Sequence, residues 1–148
     1  ADDYKKGADT ILKKIITNKK KSKNNLKKYA PRHLPLFSYL LLISNSLENK
    51  LKGKIINRMS GSVKNGNINR KVTIHDLDKL SNRLGIKLSM KEEEVLKICS
   101  FILNGAKYPF PKKQTKTIDV DEVLYEQKIS LNSIRNTYES ICKKIDMS

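Results

Sequence analysis

Apolar residues in the first stretch of the chain, Tyr4, Ala8, Ile11, Leu12, Ile15 and Ile16, recur at spacings of three and four. That period predicts an amphipathic helix over residues 4 to 17. TNKKKSKNNLKK follows at 17 to 28, polar and basic with little to bury, and reads either as a linker or as a basic continuation of the helix. Pro31 and Pro35 bracket the start of the next helix. It carries Phe37, Leu40, Leu41, Ile43, Leu47, Leu51 and Ile55, apolar nearly all round in its first half, and is the expected central core helix. Gly53 can bend it, and it ends near Met59, before the loop SGSVKNGN.

KVTI, residues 71 to 74, suits a few residues of extended chain. Asp76 opens a short helix with Leu77, Leu80 and Leu84 on one face, and Gly85 is placed to cap its C-terminus in the left-handed conformation. Ser89 and Glu92 have the S-x-x-E spacing of a capping box, and the Glu92–Glu94 run sits where a helix dipole favours negative charge. The helix from Met90 presents Val95, Ile98, Cys99, Ile102 and Leu103, and Asn104-Gly105 ends it. AKYPFPKKQTK reads as an exposed loop, TIDV as extended, DEVLYEQK as helical. A last helix starts at Ser130 with a stripe of Leu131, Ile134, Tyr138, Ile141, Cys142 and Ile145. The expected fold is all-α, a compact bundle of six or seven helices with no sustained heptad. Two regions are expected: a basic N-terminal helix and linker at 1–32, and a helical domain at 33–148.

Composition changes the picture at one point. Lys+Arg number 31 against 15 for Asp+Glu, a net charge of +16. Such a field attracts polyanions. Lysine, asparagine and isoleucine are all abundant, the mark of an A+T-biased genome, which raises lysine without selecting a binding site. The basic run is Lys13, Lys14, Lys19, Lys20, Lys21, Lys23, Lys27, Lys28 and Arg32. Functionally it can lie along phosphates with a strong salt dependence. The competing reading is a solvated segment with no ligand. No helix offers the Arg and Asn cluster that reads base edges, and the chain has no Trp and 6% aromatics for stacking.

Little points to catalysis. His33 and His75 have no cysteine or second histidine at ligand spacing, so no zinc site is expected, and no Gly-rich phosphate loop is present. Asp119 and Asp121 fit a helix start better than acid–base work. No cofactor is called for, and the chain reads as a non-enzyme. Cys99 and Cys142 each fall on an apolar helix face, as two small core residues or as a disulfide between helices. The longest apolar run, LPLFSYLLLI, is half the length that spans a bilayer. No signal peptide is visible, which points to an intracellular place, cytoplasm or nucleus. The opening ADDYKKGADT has no initiator Met, as expected of a piece of a longer protein.

One repeat stands out. KIINRM…KVTIHDL and KICSFI…TIDVDEV share an order of helix end, polar loop, β-capable stretch, acidic residue and new helix. Val72 matches Ile118, Thr73 matches Asp119, Asp76 matches Glu122, and Leu77 matches Val123. Residues 50 to 128 thus resemble a pair of EF-hands, and LGIKLSMKEEE looks like the linker between two hands of calmodulin-like proteins. The resemblance implies a short β pairing between the segments around Val72 and Ile118. It also implies a groove that holds an amphipathic helix, with Leu77, Leu80, Leu84, Ile98, Ile102 and Val123 as candidates that serve equally well as core. Asn65, Asn67 and Asn69 stand where the family has calcium ligands, but they are neutral. Arg70 replaces the family's glycine, Asp76 its glutamate, and Lys64 and Lys71 add repulsion, which implies that calcium binding is lost. Two functions follow as expectations: a calcium-free interaction module for a protein with an acidic or amphipathic helix, or a nonspecific nucleic-acid-binding domain of a transcription or replication factor.

Overall fold

The structure, a computed structural model, describes residues 2–21, 33–59, 61, 63–64, 66–69, 72–107 and 130–148. Among these are five helices: α1 (Asp2–Lys21), α2 (His33–Arg58), α3 (Leu77–Arg83), α4 (Met90–Lys107) and α5 (Leu131–Met147). The described residues are all-α in class, as expected, and hold five helices, against six or seven predicted for the whole chain. The further helix expected at DEVLYEQK lies outside the described residues.

The α2 helix is the axis of the molecule, with α1, α3, α4 and α5 all packed against it. Its 26 residues bury Tyr39, Leu40, Ile43, Leu47, Leu51 and Ile55, and even Ser44, Ser46 and Glu48 are buried, because neighbours cover it on several sides. Pro35 falls in its first turn, where a missing amide leaves no helical bond unmade. Ala8 and Leu12 of α1 join the same hydrophobic cluster as α3, α4 and α5. The first helix therefore shares one core with the other described helices.

Local signals fix the α3–α4 corner. Asp76 caps α3 by accepting a hydrogen bond from the Lys79 amide at 3.1 Å. At the other end Gly85 takes φ +68°, its amide donates to the Asn82 carbonyl, and the Ile86 amide donates to the Ser81 carbonyl. These are the paired bonds of a Schellman motif, which satisfy the last carbonyls of the helix. The capping box closes as its spacing predicts: the Ser89 amide donates to Glu92 Oε2 at 2.6 Å and the Glu92 amide to Ser89 Oγ at 3.4 Å.

Two expectations are corrected between α2 and α3. The segment read wholly as loop holds an antiparallel hairpin, β1 (Val63–Lys64) with β2 (Asn67–Ile68), in which Val63 pairs with Ile68 across the turn at Gly66, φ +74°. Val72 and Thr73 lie in a turn and a bend, where extended chain was expected. Ile118, expected to pair with Val72, lies outside the described residues.

Candidate functional site

The basic run meets the structure on α1. At 3.6 residues per turn, Tyr4, Ala8, Ile11 and Leu12 stack on one side and Lys6, Thr10, Lys13, Lys14 and Thr17 on the other. In the first set Ala8 and Leu12 are buried, Ile11 is half-buried and Tyr4 is exposed, and all five of the second set are exposed. The hydroxyls of Thr10 and Thr17 donate to the carbonyls of Lys6 and Lys13, both at 2.9 Å. Asp2 and Asp3 occupy the first turn, where the dipole favours them, so the face grows more cationic toward its C-terminal end. Lys19, Lys20 and Lys21 continue the helical backbone at that end. Lys23, Lys27, Lys28 and Arg32 lie outside the described residues.

Acidic side chains elsewhere are largely engaged. Asp9 meets Lys5, Glu48 meets Lys52 and His75, Asp76 meets Lys79, Glu92 meets Lys144, Glu139 meets Arg135, and Asp146 meets Lys50. None of Lys6, Lys13 and Lys14 forms an ion pair with another described residue. The charge these three carry is open to a partner.

Five of the six groove candidates do not line an open surface. Leu77, Leu80, Leu84, Ile98 and Ile102 are all buried in one cluster with Ile55, Val95 and Cys99, and Val123 lies outside the described residues. The Leu77 amide is also tied across to α4, donating to Ser100 Oγ at 3.0 Å. Of the EF-hand-like loop positions, Asn67 and Asn69 are exposed, and Asp76 is committed to its helix cap and to Lys79. No group of three or more His, Cys, Asp or Glu among the described residues can hold a metal ion.

Three features were not foreseen. Buried Glu92 accepts hydrogen bonds from Ser140 Oγ at 2.8 Å and Lys144 Nζ at 2.6 Å, so the start of α4 is latched to α5. Burial pushes its carboxyl up, but the Lys144 ammonium, the Ser89 amide and the Ser140 and Ser89 hydroxyls outweigh that and hold it at about 2. Buried Glu48, on α2, accepts from Lys52 and from Nδ1 of His75, which fastens the approach to α3 onto the central helix. A shallow cleft of about 250 Å³ opens between α3 and α4, with Asp78, Glu93 and Lys97 at its rim and Ile86 in its wall. Burial and the nearby Asp76 charge raise the Asp78 carboxyl. Each depends on residues brought together by the fold, and only the capping half of Glu92 and the i,i+4 spacing of Glu48 and Lys52 have a local signature.

Both cysteines are free thiols, and burial pushes Cys99 up to about 11. Burial raises Cys142 as well. Neither has the lowered pKa of a reactive thiol. No helix among the described residues is long and apolar enough to cross a membrane. No family model, curated protein or solved structure matches the chain.

Proposed function

We propose that the protein is a non-enzymatic helical interaction module that binds an acidic macromolecule through the outer face of α1, without calcium. The supporting observation is the placement of Lys6, Lys13 and Lys14 opposite the helix's core stripe, exposed and unpaired among the described residues. A cationic face of this kind speeds capture and selects partners by charge. Helix-in-groove recognition draws less support, since Leu77, Leu80, Leu84, Ile98 and Ile102 already fill the core. The proposed kinship of residues 50–128 with calcium-free EF-hands rests on the sequence match alone.

The test compares two charge-reversal variants of equal net charge. One carries Lys6→Glu, Lys13→Glu and Lys14→Glu. The other carries Lys91→Glu, Lys97→Glu and Lys143→Glu, three exposed lysines elsewhere. Binding to heparin, polyglutamate and duplex DNA is measured for each. The reading expects at least a tenfold loss for the α1 variant and a much smaller loss for the other. Equal losses would show that net charge alone acts, and would overturn it.

A further inference from the structure

We infer that the acidic macromolecule is a nucleic-acid duplex, held by its phosphates without sequence preference; this rests on the α1 reading above. Residue type is the first argument. From Lys6 onward the exposed positions of the α1 face are Lys6, Thr10, Lys13, Lys14 and Thr17, with no apolar anchor among them, while the first turn exposes Asp2, Asp3 and Tyr4. Protein–protein interfaces are depleted in lysine and depend on aromatic, Met or Arg anchors in desolvated pockets. Phosphate contacts use lysine and threonine.

Shape is the second argument. The opposite side of α1 is committed to α2 through Ala8 and Leu12, and Gly7 allows an approach so close that an added Cβ would lie 3.3 Å from Leu42 Cδ1. The helix therefore offers a duplex only its outer, lysine-bearing side. Lys6 and Lys13 are seven residues apart, about 10 Å along the axis, or the rise of three base-pair steps. The same commitment disfavours a membrane, because the apolar stripe that would enter the lipid is already covered.

Charge distribution is the third. From residue 13 to residue 32 the sequence holds nine basic residues and no acidic one. The other candidate for a DNA contact, the α3–turn–α4 corner, exposes Glu93 and Glu94 in the first turns of α4; α1 also exposes two acids, Asp2 and Asp3, but in its first turn only, about two or more turns before Lys13 and Lys14. The α1 face has no arginine, asparagine or aromatic at its exposed middle, so it can neither read base edges nor stack on unpaired bases.

The experiment uses the full chain and fluorescence anisotropy with random duplexes of about 20 base pairs, over roughly 50 to 200 mM salt. A Lys6→Gln, Lys13→Gln, Lys14→Gln variant should flatten the salt slope by about 2.7, three phosphate contacts at about 0.9 each. Its affinity should fall at least tenfold, with an unchanged helical circular dichroism spectrum. A+T-rich and G+C-rich duplexes should bind within about twofold of each other. A slope unchanged by the variant overturns the inference. So does binding to polyglutamate or to anionic vesicles through the same lysines that exceeds binding to duplex, although the interaction-module reading then survives. Failure to bind any polyanion overturns both.

Discussion

Substituting Glu92 tests how α4 is latched to α5. Its side chain is 5% exposed against 33% for Lys144, and the two meet at 2.6 Å. The carboxyl falls from 4.5 to about 2 on folding, which sets a ceiling of about 3 kcal/mol on what ionisation contributes. Solvent reaches Lys144, so the pair is screened, and we expect Glu92→Gln to cost about 2 kcal/mol at neutral pH. That corresponds to a Tm lower by roughly 6 °C in a chain of this size. Because the carboxyl is held below its unfolded value, its contribution is complete above about pH 4.5 and fades as the pH falls toward 2. Urea unfolding of the wild type, Glu92→Gln, Lys144→Met and the double variant gives the coupling directly. We expect about 1 kcal/mol or more, and an acid-side loss of stability that is smaller in Glu92→Gln than in the wild type. A coupling below about 0.3 kcal/mol, with the same acid dependence in both proteins, would refute the latch.

Other expectations are more local. Gly53 is exposed inside α2 with nothing within 4 Å of an added Cβ, so Gly53→Ala should stabilise by about 1 kcal/mol, read as a raised urea midpoint. Gly85→Ala has equal space but must hold φ +68°, so it should destabilise by about 1 kcal/mol in the same assay. A thiol reagent near pH 8 should label half-buried Cys142 before fully buried Cys99, whose thiol sits at about 11; mass spectrometry of peptides gives the order. Calcium at roughly millimolar concentration should leave Tm unchanged, since neutral asparagines replace the carboxylates such a site needs.

Signals carried within four or five residues survive into the structure. Asp76 and the Ser89–Glu92 box cap their helices as their spacing requires, and Gly85 adopts the left-handed turn. The core helix was legible because its apolar residues crowd every side. The hairpin escaped notice because only Val63 and Ile68 flank the Asn65-Gly66 turn signal with apolar residues, too few for a strand pattern. The α1 helix runs to Lys21, in line with the reading of the residues after 17 as a basic continuation, because lysine is a good helix former and no Pro or Gly stops it. What sequence could not supply was pairing at a distance. Glu92 finds Lys144 52 residues away, and Glu48 finds His75 27 residues away. The groove leucines were legible as an apolar face, but periodicity is the same for a face that meets a partner and one that meets its own core. Likewise the lysine run was legible as charge, and only the fold shows that Lys6, Lys13 and Lys14 stand opposite the buried stripe.

The central claim is that α1 presents the partner-binding surface, and an amide NMR titration of the full chain with a random duplex tests it most directly. The account predicts shift changes concentrated on Lys6, Thr10, Lys13, Lys14 and Thr17, fading as salt rises. Changes centred instead on the α3–α4 corner, or on exposed Met90 and Met147, would contradict it.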